Sequence, residues 1–307
     1  MVKQVPYIEP NQWYHRVINR AFYWYLLLIN KKKVEAQEPV SSPVFVTGFF
    51  RSGTSLVTHL LQECGMNVGP ENDLLKSKGS RADLNRDGFF ENYLFMDASL
   101  YAFNKLNAWG HLPPSSEEVM KVDLTESEEK LFQEFSLCGV HDDRISNRNK
   151  IHVLKHYGIG NLNRYLLNEF GDRPLVKNPH FSVLWPWLIG KWPKAKFIVC
   201  FRNPTAAIAS ASKITPQLTD KVYLRYYESI LKMDSSSTVF ISYDHLMQHP
   251  ELTIHRLINI LDLKVDHPDR ILSLIKKSEY RFKEGEIENG ELKELYLQLL
   301  SKASNIP

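Results

Sequence analysis

The chain is 307 residues long, with hydrophobic residues at 43% and charged residues at 24%, proportions that exclude wholesale disorder and fit one large domain with a small appendage. Its 38 basic and 35 acidic side chains leave a net charge of +3, too small and too dispersed for a nucleic-acid surface, so any anion site has to be local. The three cysteines, Cys64, Cys138 and Cys200, stand far apart without C-x-x-C or Cys/His metal spacing, which disfavours zinc and a disulfide framework and predicts reduced thiols in a cytoplasmic setting.

The first predicted element is an amphipathic helix. Trp13, Val17, Ala21 and Trp24 recur at helical spacing, with His15, Arg16, Asn19 and Arg20 on the opposite face. The apolar run Ala21 to Ile29 begins too late for a secretory signal and, at nine residues before Lys31-Lys32-Lys33, is too short to span a bilayer. Packing against the domain is the plainer expectation, although the aromatics and lysines of residues 13–33 also suit peripheral contact with a membrane surface. Residues 34–43, with Glu35, Glu38, Pro39, Ser41, Ser42 and Pro43, read as a linker, so the expected division is an extension over 1–38 and a main domain over 39–307.

Val44-Phe45-Val46 is a short β-forming run that ends at Gly48, and Thr54 to Cys64 then shows helical spacing through Leu56, Leu60 and Leu61 before Gly65. The stretch 66–150 is polar and irregular, broken by Pro113-Pro114, with a capping box at Thr125 and Glu128 opening a helix that carries Leu131, Phe132 and Phe135; it suits substrate-binding insertions. Further strands are expected at Lys196 to Phe201, followed by a small-residue helix from Thr205 to Ser212, and at Thr238 to Ile241, followed past Pro250 by a helix with Leu252, Ile254, Leu257 and Ile258. Fully apolar strands alternating with helices imply an α/β fold, a three-layer α/β/α arrangement around a central parallel sheet.

Gly48-Phe49-Phe50-Arg51-Ser52-Gly53-Thr54-Ser55 has the glycine spacing of a Walker A loop, but Thr54 occupies the lysine position. The nearest cation is Arg51, inside the loop. Backbone N–H groups and a helix N-terminus still offer an anion site, so binding of an anionic ligand is expected while triphosphate hydrolysis is disfavoured.

These residues resemble the P-loop sulfotransferases, which move a sulfuryl group from 3′-phosphoadenosine-5′-phosphosulfate (PAPS) to a hydroxyl acceptor. Within that family the bacterial and tyrosylprotein branches similarly place an arginine in R-S-G-T-[ST]. The resemblance implies that Arg51, Ser52, Gly53, Thr54 and Ser55 bind the 5′-phosphosulfate. It implies further that Arg202, at the end of Phe197 to Phe201, and Ser210 grip the 3′-phosphate, for which the bidentate fork of arginine is suited. Ile241-Ser242-Tyr243-Asp244-His245-Leu246 is similar to the family's Y-E-D-L segment, placing Tyr243 near the nucleotide, with Asp244 and His245 departing from the usual Glu-Asp pair.

Sulfuryl transfer in line needs a base for the acceptor hydroxyl, cations for charge on the leaving phosphate, and alignment; no metal is expected. Glu71, twenty residues after Arg51, stands where the tyrosylprotein branch carries its catalytic glutamate, and Glu91, in Gly88-Phe89-Phe90-Glu91-Asn92, matches a G-[FY]-[FW]-E block of bacterial members. Lys177, in Leu175-Val176-Lys177-Asn178-Pro179, resembles the family's K-D-P block and follows an apolar pair at an expected strand end. The expectation is therefore that Arg51 and Lys177 stabilise the bridging oxygen while Glu71, or else Glu91, takes the acceptor proton. His59 and His180 read as packing or solvent histidines. A P-loop nucleotide kinase or NTPase, and a nucleotide-binding module without catalysis, are the alternatives.

Overall fold

A computed structural model of the chain describes residue 21 and residues 41–75, 89–106, 108–122, 162–265, 268–275 and 287–304. Apart from Ala21, the amphipathic helix expected over 13–33 lies outside the described residues, as do the linker up to residue 40, Gly88, Cys138 and the capping box at Thr125 and Glu128.

The strands β1 (Val44–Thr47), β2 (Leu175–Lys177), β3 (Lys196–Phe201) and β4 (Thr238–Ser242) form one parallel sheet of order β2-β1-β3-β4. Side chains alternate along every strand, and both faces are apolar. Val44, Val46, Leu175, Ile198, Cys200, Val239 and Ile241 enter one core, while Phe45, Val176, Phe197, Val199, Phe201 and Phe240 enter the other.

Helices cover both faces. In chain order they are α1 (Thr54–Glu63), α2 (Tyr93–Lys105), α3 (Ser116–Lys121), α4 (Leu162–Tyr165), which runs on as a π turn over Leu166–Phe170, and α5 (Phe181–Lys191). Then follow α6 (Pro204–Ala211), α7 (Asp220–Leu231), α8 (Tyr243–Gln248), α9 (Pro250–Ile260), α10 (Pro268–Ser273) and α11 (Gly290–Ser304). Helices α1, α8, α9 and α10 supply the first core; α2, α5, α7 and α11 supply most of the second. No helix among the described residues is long and apolar enough to cross a membrane.

The stretch expected to be irregular contains α2 and α3 among its described residues. Phe95, Ala98, Ala102 and Phe103 of α2 are all buried at helical spacing. The helix starts at Asn92, whose side-chain oxygen accepts from the Leu94 N–H at 3.0 Å, and Ser99 inside it is satisfied by donating to the Phe95 carbonyl at 2.8 Å. Small and polar residues interrupt the stripe, which is why the apolar period is weak in the sequence.

From β1 the chain crosses to β2 on one side, and from β2 it passes back over β1 to β3 on the other. The loop after β1 therefore lies at the carboxyl ends of the strands where the strand order reverses, the place at which open parallel sheets bind ligands.

Candidate active site

The loop Gly48 to Gly53 is pressed onto the sheet. A Cβ at Gly48 would lie 2.0 Å from the Cys200 carbonyl oxygen of β3, so only glycine fits at that approach. Gly53, at φ 89, faces the Tyr243 ring, and a Cβ there would come within 2.4 Å of Tyr243 Cδ2. Between them Arg51 takes φ 64, a left-handed conformation uncommon for a residue with a side chain. Gly53 provides no side-chain cap for α1, and the first intrahelical bond runs from the Val57 N–H to the Gly53 carbonyl. The opening N–H groups of α1 thus remain aimed beyond the helix end, the arrangement that favours an anion.

The two arginine segments meet here. Arg51 Nε donates to Ser210 Oγ on α6 at 3.1 Å. The Arg202 guanidinium, from the turn after β3, stacks over the Tyr243 ring at 4.8 Å, and its Nε lies 3.9 Å from Asp244 Oδ1. Burial lowers the Arg51 pKa, and the neighbouring Arg202 charge lowers it further. Two like charges thus lie near one another in a partly dry site, with Asp244 beside Arg202, a setting suited to an anionic ligand.

Ser52 and Thr54 are buried, whereas Ser55 is half-buried. The Ser52 hydroxyl is turned inward, 2.9 Å from the Tyr227 hydroxyl, so it braces the loop from behind. Ser55 Oγ points toward β2, 3.4 Å from Lys177 Nζ. Strand alternation explains that meeting: Lys177 follows the parity of Leu175, which faces the α1 side of the sheet.

Lys177 is buried, donates to the Phe89 carbonyl at 3.0 Å, and forms an ion pair with Glu91 Oε1. Glu91 lies beside β2, in a parallel bridge with Lys177. It follows Phe90, held at φ 62 with its ring stacked on His59 at 5.6 Å. Burial raises the Glu91 pKa and the Lys177 charge opposes that rise. Glu91 Oε2 is enclosed and accepts no hydrogen bond among the described residues. A buried network holds the segment in place: Asn92 Nδ2 donates to the Tyr165 hydroxyl at 2.9 Å, and that hydroxyl donates to Asp73 Oδ2 at 2.6 Å. Glu71, two residues before Asp73, is exposed on a 3-10 turn. The structure therefore brings Glu91 to Lys177 and Ser55, and leaves Glu71 at the surface.

His180 is enclosed between Phe103 and Phe50, at 4.7 and 6.0 Å between ring centres. Burial, with the Lys177 charge second, pushes its pKa down to about 3, so it is neutral at ordinary pH. Among the described residues no group of three or more His, Cys, Asp or Glu side chains is arranged to hold a metal ion.

Several participants gave no sign of their role in the sequence. Asp244, where the expected motif has glutamate, is buried and accepts from the Asn203 N–H at 2.8 Å, fixing the turn that carries Arg202. Tyr223 and Tyr227 of α7 bond to the backbone at Arg202 and Cys200. Their only sequence signal is three tyrosines three and four residues apart on an otherwise amphipathic helix.

No curated protein matches the chain. Among solved structures it is similar to the sulfotransferase STF9 from Mycobacterium avium, with TM-score 0.52 and 14% identity over 98% of this chain and 88% of that one. It is also similar to the sulfotransferase STF1 from Mycobacterium tuberculosis H37Rv, with TM-score 0.46 and 14% identity over 95% of this chain and 84% of that one. A third is the sulfotransferase domain from the Synechococcus PCC 7002 olefin synthase, with TM-score 0.45 and 14% identity over 89% of this chain and 99% of that one. At such identity the likeness to STF9 speaks for the fold. Residues 43–267, from the start of β1 to the threshold of α10, match the sequence profile of the sulfotransferase family; with the loop, the sheet and the paired arginines inside that span, the chain belongs to this family.

Proposed function

We propose that the protein transfers the sulfuryl group of PAPS to a hydroxyl acceptor by in-line displacement. The observation that carries this reading is the convergence of Arg51 and Arg202, from segments far apart in sequence, on Ser210 and Tyr243 at the mouth of the phosphate loop. Mutual repulsion between two partly buried guanidinium groups fits a ligand with negative charge at both ends, and PAPS has that form. The donor supplies a sulfuryl group whose leaving group is a good one.

The protein side does the rest. Arg51 and the opening N–H groups of α1 from Gly53, Thr54 and Ser55 hold the 5′ end, while Arg202 and Ser210 hold the 3′-phosphate and the Tyr243 ring flanks the nucleotide. Lys177, beside Ser55, neutralises charge on the group in transfer. Glu91 takes the acceptor proton: burial lifts its basicity above that of an ordinary carboxylate. Hydroxyls of carbohydrate, lipid, peptide or small alcohols all meet this chemical requirement. The free, buried thiols of Cys64 and Cys200 support a reducing compartment, and we place the enzyme in the cytoplasm.

Calorimetric titration with adenosine 3′,5′-bisphosphate tests the donor site. Wild-type protein should bind it, and Arg51→Ala with Arg202→Ala should lose most of that affinity; equal binding by the double variant rules the reading out. Incubation with radiolabelled PAPS and a metabolite extract then identifies the molecule that acquires label.

A further inference from the structure

Helix α7 carries Tyr223, Tyr226 and Tyr227 on its inner face, all three without exposed surface. Phenylalanine would fill the same core without a hydroxyl to desolvate. Each hydroxyl, however, reaches a backbone carbonyl at the carboxyl ends of the strands or beside them. Tyr223 donates to the Arg202 carbonyl at 2.7 Å, Tyr227 to the Cys200 carbonyl at 2.8 Å, and Tyr226 to the Gly110 carbonyl at 3.1 Å.

Tyr227 does more than the other two. It accepts from the Phe49 N–H at 3.1 Å and stands 2.9 Å from Ser52 Oγ. With its own proton committed to a carbonyl, which cannot donate in return, the Ser52 hydroxyl has to be the donor in that contact. One buried oxygen thus ties β3 to the loop on both sides of Phe50 and Arg51. Arg51 sits at φ 64, a conformation that persists only where neighbours over-determine it, and it is pressed toward a like charge at Arg202. Tyr223, one turn away on the same helix, holds the other arginine by its own carbonyl.

We propose that α7 is the positioning element of the donor site: Tyr223 and Tyr227, neither of which contacts the ligand, set the separation of Arg202 and Arg51. The Tyr226 hydroxyl ties down the Gly110 turn beside His180, while its ring, which phenylalanine would keep, packs on Phe49 and Phe50 of the loop at 5.9 Å each; the hydroxyl itself has no part in the donor grip. This rests on the donor reading given above.

Three single-oxygen deletions in the full chain separate positioning from general packing. Tyr223→Phe and Tyr227→Phe should each weaken adenosine 3′,5′-bisphosphate binding about five- to tenfold by calorimetry, the scale of one buried hydrogen bond. Tyr226→Phe should lower the ligand-free thermal midpoint to a similar degree and leave that affinity at the wild-type value. Should Tyr227→Phe not fold, Ser52→Ala removes the same contact from the loop side and is expected to weaken binding; where both fold, the double variant should lose no more than Tyr227→Phe alone. Equal affinity losses across the three tyrosine variants, or stability losses with unchanged affinity at Tyr223 and Tyr227, overturn the inference while leaving the donor reading intact. A wild-type protein that does not bind the nucleotide overturns both.

Discussion

Replacing Lys177 with methionine removes the cation from a buried pair and keeps most of the side-chain volume. In the native protein Lys177 donates to Glu91, to the Phe89 carbonyl at 3.0 Å and to Ser55 Oγ at 3.4 Å, so it has acceptors besides the carboxylate. Glu91 is less well provided, because Oε2 accepts nothing among the described residues. Stranding the carboxylate should therefore cost more than stranding the lysine: about 3–5 kcal/mol for Lys177→Met at pH 8, and less for Glu91→Gln. The cost depends on pH with a definite sign. Burial already raises the Glu91 pKa, and loss of Lys177 removes the opposing effect and raises it further. A carboxyl with a raised pKa favours the folded state while protonated and loses that advantage as pH rises through the folded value, so the deficit of Lys177→Met is smaller at pH 5 than at pH 8. Urea unfolding of the wild type, both single variants and the double variant at the two pH values gives the cycle. In the double variant the coupling should return more than about 1 kcal/mol. A deficit that is the same at both pH values, or a double variant whose loss equals the sum of the singles, refutes the buried ion pair as the source of the effect.

Glu91→Gln should lower kcat by ~10²–10⁴-fold on an acceptor identified by label transfer, with Glu71→Gln close to wild type; the opposite pattern moves the base to Glu71. The acid limb of the wild-type rate profile should lie above the ordinary carboxylate value of about 4.3, because Glu91 must be ionised to accept a proton and burial raises its pKa. Gly53→Ala forces a Cβ against the Tyr243 ring at 2.4 Å and strains φ 89, and should cost about 1–3 kcal/mol of stability and weaken nucleotide binding in calorimetry. His180, held near a pKa of about 3, takes up no proton in the folded state where the unfolded chain does, so it erodes stability as pH falls below its ordinary value of 6.5. Replacing it by phenylalanine should reduce the acid slope of urea stability by up to about 1.4 kcal/mol per pH unit between roughly pH 6 and pH 4.

The strands and the tight loop from Gly48 to Gly53 were legible because each is a local pattern. Val44 to Val46, Phe197 to Phe201 and Val239 to Ile241 are continuous apolar runs, and a strand buried on both faces has no other way to be written. The glycines at 48 and 53 were legible for the same reason, since one neighbours a carbonyl and the other a ring too closely for any Cβ. What stayed hidden depends on partners distant in the chain. Nothing near Tyr227 in sequence announces that its hydroxyl lies under Phe49 and Ser52, and nothing near Glu91 distinguishes it from Glu71 until β2 brings Lys177 alongside.

That difference explains why the two glutamates separate only in the fold. Distance along the chain from Arg51 favours Glu71, but position in space follows the network of Asp73, Tyr165 and Asn92. The same network turns Asp73 inward and leaves Glu71, on the preceding side of a short 3-10 turn, outward. Asn92 caps α2 and the Glu91 carbonyl accepts from the Leu75 N–H at 2.8 Å, so the backbone on each side of Glu91 is fixed and its side chain can only project onto β2. A carboxylate held in this way pays its desolvation cost through Lys177, and the pair persists because β2 carries the lysine while Ser55 of the loop helix α1 and the Phe89 carbonyl take its remaining hydrogen bonds.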